Sequence, residues 1–326
     1  MAYTVAGTPY PSGSSNPDPA YTTRFIPQIW AGKLIEKFYD ATVLAGIANT
    51  DYDGEIRNQG DKVIIRQKPT IAINAYEAEM TLAVERPSSN IVELSIDKGF
   101  YFNTILDDVM EVQADLDMLS MWSDDASEQM KIKIDTEVLT AIPAGISADN
   151  VGVAAGVKSS GINLGVTTNP LDVVARAPGT GEIEIIDVIT RLGQTLDEQN
   201  IPETGRWMVI PAWVAAMIKR SELRDASLTG DGSTMLRNGR LGMIDRFTVY
   251  MSNLVPAGDA TGGPGVAGEY YVYAGHSHGL TFASQLTKVE TLRGESTFGT
   301  YLRGLQVYGR QVTDGTALAA AVLKAV

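Results

Sequence analysis

The feature that most limits the fold of this chain is a stripe of apolar residues at spacings of three and four: Leu119, Trp122, Ala126, Met130, Ile134 and Val138. Residues three and four apart share one helical face, so the stripe predicts one long helix within residues 105–142. Run unbroken from Asp115 to Ile142, it spans about 42 Å at 1.5 Å per residue. All six stripe residues are expected to be core. Residues 103–128 hold eight acidic side chains and no basic one, and Lys131 and Lys133 follow, an order that suits the helix dipole.

Upstream, residues 62–76 and 91–102 predict two long strands. Val92, Leu94 and Ile96 alternate with Glu93, Ser95 and Asp97, the two-residue period of a half-buried strand. Strands of 12–15 residues reach about 40–50 Å, beyond the usual strand length. Such a hairpin projects past its own domain and needs another surface to cover its apolar face. The segment between the strands, residues 77–90, is charged.

Other elements are shorter. Residues 1–23 read as an extended arm, since Pro9, Pro11, Pro17 and Pro19 among Gly and Ser cannot build a packed core. Such an arm becomes ordered by lying on a neighbour or by docking on its own domain, and the neighbour is the favoured reading. A helix over 25–44 is opened by Pro27. Residues 143–181 read as loops and strands, 182–200 as a helix, 206–210 as a buried strand and 211–219 as a helix opened by proline. Residues 221–240 are a charged surface loop. Strands are expected at 246–252, 269–273, 279–283, 287–293 and 304–312, before an Ala-rich end. No internal repeat is visible.

Composition narrows the function. The chain has 326 residues, 44% hydrophobic and 20% charged, which is globular composition. No run of 18 apolar residues marks a membrane span, and the start lacks the basic and apolar regions of a signal peptide. There are no cysteines, so disulfides, thiolate metal sites and cysteine nucleophiles are excluded and synthesis in a reducing cytoplasm is expected. Two histidines leave few groups that exchange protons near pH 7. The net charge of −13 and the lack of a basic cluster argue against a DNA-binding regulator. They do not argue against a DNA container, whose wall must let DNA slide and leave.

The motifs that suggest chemistry all have plainer readings. His276-Ser277-His278 lies between Gly275 and Gly279 with no nearby cysteine or carboxylate, a poor set for zinc and a good solvated turn. Asp51 to Glu55 lacks the ligand ladder of a calcium loop. Asp107-Asp108 and Asp124-Asp125 point about 100° apart on a helix, so neither pair converges on one substrate. The glycines at 179–181 and 262–265 lack the Lys-Ser/Thr of a phosphate loop. No catalytic residue, cofactor or metal is expected, and the chain reads as a non-enzyme.

Four segments together resemble the tailed-phage major capsid proteins of the HK97 fold, closest to the P22-type coat branch. They are Phe25-Ile26-Pro27-Gln28-Ile29-Trp30; Asn49 to Ile56 with Gly60-Asp61-Lys62-Val63; Leu196 to Pro202 with Gly205-Arg206-Trp207; and Gly239-Arg240-Leu241-Gly242 leading into Phe247 to Asn253. No segment is large enough for the inserted domain of the P22-type coat. The resemblance implies an α+β chain: an N-terminal arm and first helix (1–50), an extended E-loop (51–102) and a spine-helix P-domain (103–181). An axial A-domain with strands returning to the P-domain follows (182–310), then a C-terminal segment (311–326).

By the same resemblance, copies form pentamers and hexamers and close an icosahedral shell around packaged dsDNA without reading its sequence. The shell assembles in the host bacterial cytoplasm with scaffolding and portal proteins and a decoration protein. The expected inter-subunit contacts on the E-loop are Arg57, Lys62, Arg66, Lys68, Glu77, Glu79, Glu85 and Arg86. At the capsomer centre they are Arg220, Arg224, Asp225 and Arg237. Lys62 and Lys68 read as makers of ordinary charge contacts rather than covalent crosslinks. An encapsulin-type bacterial compartment shares the fold and is the alternative; the P22-like segments favour the phage.

Overall fold

The computed structural model describes residues 39–51 except 41, 62–108 except 67, 70, 77, 79, 80, 82, 83 and 90, then 118–221, 242–256, and 269–326 except 295 and 296. The arm over 1–23, the helix start at Pro27, and Arg57, Glu77, Glu79, Arg224, Asp225 and Arg237 lie outside these residues.

Among the described residues twelve strands form three sheets. The largest has seven strands in the order β5-β4-β12-β9-β6-β8-β7: β4 Leu171–Val174, β5 Ile183–Glu184, β6 Arg206–Ile210, β7 Met243–Ile244, β8 Phe247–Met251, β9 Glu269–His276 and β12 Leu318–Ala325. Its middle is buried on both sides, and strand alternation sorts the side chains into two cores. Met208, Ile210, Val272, Ala274, Ala319 and Ala321 pack on one side with helices α2 (Ile185–Glu198) and α3 (Ala212–Arg220). Trp207, Val209, Tyr271, Tyr273, Ala320 and Val322 pack on the other.

That second core is closed by pieces from elsewhere in the chain. Ile134, Val138 and Leu139 come from helix α1 (Met118–Ala141), Val43 and Ile47 from a single helical turn (Leu44–Ile47), and Leu280 and Tyr308 from a three-stranded sheet. This sheet is a long blade in the order β10-β11-β3, made of Leu280–Arg293, Gly299–Val312 and Lys98–Asp107. Glu137 fastens α1 to it, accepting from Arg310 Nε at 2.9 Å and Nη2 at 2.6 Å and from the Tyr308 hydroxyl at 3.2 Å. Burial opposes the charge on Glu137, but these donors prevail and hold its carboxyl below the usual range.

Several expectations need correction. The paired hairpin is short: β1 Lys62–Arg66 meets β2 Ile91–Ser95 over five residues, from Lys62 opposite Ser95 to Arg66 opposite Ile91. Ile96 and Asp97 break the second strand, and the chain then enters β3, which pairs with β11 in another sheet. Hence Ile105 is strand, not helix. The two strands expected at 279–283 and 287–293 are one, Leu280–Arg293, irregular between Ser284 and Leu286. The Ala-rich end is β12, a central strand between β4 and β9.

The stripe on α1 is only partly core within one chain. Ile134 and Val138 are buried and Met130 packs against the second core, whereas Leu119, Trp122 and Ala126 stay half-exposed. The helix is fastened to the blade through its second half, where Glu137 sits.

Replacing Leu139, fully buried, with Ala should cost about 2–5 kcal/mol in denaturant unfolding of the subunit. Trp122→Ala should cost less, below about 2 kcal/mol, because a half-exposed ring gives up only part of its transfer energy.

A second check concerns the loop after α1. Glu198 at the end of α2 accepts from the backbone N–H of Lys158 (2.9 Å) and Ser159 (3.1 Å) and from Gln194 (3.0 Å). These donors favour its ionised form and lower its pKa from 4.5 to about 2. A depressed carboxylate stabilises above its unfolded value, and this contribution fades as pH falls from 4.5 through about 2. Glu198→Gln should lower stability at neutral pH, leave it nearly unchanged below about pH 2, and so flatten the acid limb of a stability–pH curve between 4.5 and about 2.

Candidate assembly surface

The blade has two faces, fixed by its register. Phe282 and Tyr308 stack at 5.6 Å, and Phe100 lies 6.0 Å from Tyr308, on the face toward α1. The opposite face carries three cross-strand rows: Tyr101–Leu305–Lys288, Asn103–Arg303–Glu290 and Ile105–Tyr301–Leu292. Its centre is ionic, with Glu290 taking both Lys288 (2.6 Å) and Arg303. Its flanks are apolar and uncovered: Tyr101 is 79% exposed, and Ile105, Leu292 and Leu305 are also exposed. At the free end of the blade Phe298 is 83% exposed, beside the Arg293–Asp108 ion pair.

The β1–β2 hairpin crosses this same face near its root. Ile65 and Leu94 pack on Ala283, and the neighbouring position on β11 is Gly309. A Cβ there would lie 2.4 Å from the Ser95 carbonyl oxygen, so glycine is what lets the hairpin backbone approach. Beyond the paired part, residues 71–76 run without a strand partner and are exposed throughout. Ile71, Ile73 and Tyr76 are bare, Ile73 at 92%, and so is Val84 on the returning segment. The two segments touch where Glu85 accepts the Ala72 N–H at 3.1 Å.

The charges expected to face neighbours divide. Lys62 pairs across the hairpin with Glu93 at 3.2 Å, and Glu85 is engaged as just described, so both are used within the chain. Arg66, Lys68 and Arg86 are exposed on the hairpin. Arg220 ends α3, where its Nε donates to the Ala216 carbonyl at 3.3 Å; it belongs to the seven-stranded sheet and is not grouped with the hairpin charges. The more telling surface is apolar. The alternation along 98–107 and 299–312 is the sequence signal that puts Tyr101 and Leu305 on one face with Leu292.

The two histidines have a structural job. The His276 and His278 rings stack at 5.1 Å. His276 Nδ1 accepts the His278 N–H at 3.3 Å, so Nε2 carries the proton and donates to the Thr204 carbonyl at 3.0 Å. Both ring nitrogens are used, and burial lowers the pKa. Among the described residues no cluster of His, Asp and Glu is arranged to hold a metal, and no helix is long and apolar enough to cross a membrane.

Comparison with known proteins gives the fold and the family. The chain is similar in structure to a protein of Mycobacterium phage Che8, with a TM-score of 0.71 and 22% identity over 91% of this chain and 97% of that one. It is also similar to the capsid of cyanophage P-SCSP1u, with a TM-score of 0.69 and 14% identity over 93% and 94%. A third likeness is to the mature capsid of bacteriophage PhiM1, with a TM-score of 0.66 and 14% identity over 98% and 99%. The shared architecture is the HK97-like fold. No curated protein matches by sequence. A family model described as phage capsid protein matches residues 95–321, about seven-tenths of the chain, and on that match the chain belongs to the phage capsid protein family.

Proposed function

We propose that this chain is a major capsid protein that self-assembles, without catalysing a reaction, into the icosahedral shell enclosing packaged phage dsDNA. Beyond family membership, the observation that carries this reading is the uncovered apolar surface on the hairpin and blade, spread along two elongated elements rather than gathered in a pocket. Surfaces of this kind mark contact with other proteins.

In this reading the β1–β2 hairpin with its extended segments is the E-loop, and α1 with the blade is the P-domain. The seven-stranded sheet with α2 and α3 is the A-domain, with β4 and β12 contributing although they lie far apart in sequence. Copies join in rings of five and six through heterologous contacts that close by rotation. Each contact is weak, and many made at once give a persistent shell. Ile71, Ile73 and Tyr76 bury against a neighbour, while Arg66, Lys68 and Arg86 set register against its acids, the usual division between apolar area and rim charge.

The net charge of −13 suits a wall that does not grip DNA. Assembly in the host cytoplasm, with scaffolding, portal and decoration partners, completes the proposal. The four P22-like segments support placing the chain near that branch.

The test is negative-stain electron microscopy of the chain expressed alone and with its genomic neighbours, alongside a deletion of residues 77–90. The parent should give closed shells or curved sheets, and the deletion a soluble subunit that closes none. A monodisperse monomer or dimer from the parent under every condition would sink the assembly reading. Normal particles from the deletion would remove the E-loop assignment alone.

A further inference from the structure

We infer that residues 43–49 form a releasable strap across the junction of the seven-stranded sheet, the blade and α1, and that the buried carboxylate of Asp135 is its catch.

The strap touches both sheets and α1. Val43 and Ile47 are buried in the core shared by Trp207, Val209 and Tyr273 of the large sheet and by Leu280 and Tyr308 of the blade. Gly46 lies against the Tyr250 ring of β8, so close that a Cβ would stand 2.8 Å from it. Asn49 adds one bridge to the blade edge, donating to the Leu280 carbonyl at 2.8 Å and accepting the Phe282 N–H at 3.0 Å. The remaining anchor is Asp135 on α1, only 1% exposed, whose Oδ2 accepts the Val43 N–H at 2.9 Å.

Two features make the strap releasable rather than merely part of the core. Every ladder of the seven-stranded sheet forms without it, so its departure breaks no strand pairing there. The catch is also poised. Asp135 Oδ1 is buried without a hydrogen-bond partner, which is costly for a carboxylate. Burial accordingly raises its pKa above the usual value, against the lowering effect of the Val43 and Leu44 amides. Opening hydrates that oxygen, which offsets part of the apolar surface exposed at Val43 and Ile47. Segments that open alone are those with few hydrogen bonds to the rest of the molecule, and this one has four residues of helix, the Asp135 contact and one bridge.

The experiment is amide hydrogen exchange on the full-length chain, free and assembled, comparing the parent with Asp135→Ala and Gly46→Ala. Loss of a charge-assisted hydrogen bond should speed exchange at Val43, Leu44 and Ile47 by roughly 10- to 100-fold. Gly46→Ala should do the same by crowding Tyr250 with the catch intact. In both variants the amides of β6, β9 and β12 should change less than about 2-fold. Unchanged exchange in the strap would refute the catch. Strap and strands losing protection together in both variants would show one indivisible core and overturn the proposal. Neither outcome depends on whether shells form, so a failure here is distinct from a failure of the capsid reading.

Discussion

The fold depends on covering both faces of one sheet. The middle strands β12, β9 and β6 are buried on each side, and a sheet so placed is stable only if two separate layers dehydrate it. Helices α2 and α3 supply one layer from nearby sequence. The other is assembled from α1, residues 43–47 and the root of the blade. The large sheet, α1 and the root of the blade thereby come together as one cooperative object, and residues 43–47 cover their junction. The first half of α1, the hairpin and the far end of the blade are then free to extend beyond it.

Polar groups reinforce the same junction. Glu137 brings together Arg310 and the buried Tyr308, and the two charged partners are only partly exposed, so their attraction is less screened than at the surface. Asn150 does similar work on the other side: it is fully buried and its side-chain amide donates to the carbonyls of Thr316 (2.7 Å) and Leu318 (2.8 Å). It thereby fixes where β12 begins. The polar contacts of the blade farther out, among Lys288, Glu290 and Arg303, are exposed and contribute little to stability. They are better suited to steering a partner than to holding the chain folded.

Much of this was legible in the residues. Strand β6 coincides with the buried run predicted at 206–210, and α2 and α3 differ from expectation by a few residues at their ends. What misled was pattern shared by two structures. The alternation over 91–102 is real, but it spans two strands in different sheets, and only tertiary pairing shows the break at Ile96 and Asp97. The end of the chain was opaque for another reason. Alanine has low strand propensity, yet three in a row suit β12 because α2 and the Tyr271–Tyr273 pair crowd it from opposite sides. The stripe on α1 predicted a helix correctly but not which half its own chain would cover, since apolar spacing does not say whose surface meets it. The exposed apolar rows of the blade fall between these cases: their period was visible, and their exposure was not.

One consequence of the blade concerns leverage. Strands β10 and β11 are 14 residues each, so the hairpin extends about 46 Å at roughly 3.3 Å per residue. A tilt of about 5° at the root moves Phe298 by about 4 Å, the width of a side chain. The root therefore acts as a fulcrum, where a sub-ångström repacking becomes a different address for the far end. A wall with regions of unequal curvature can draw both from one polypeptide this way, with the shape set where the residues are most tightly packed and expressed where they are most exposed.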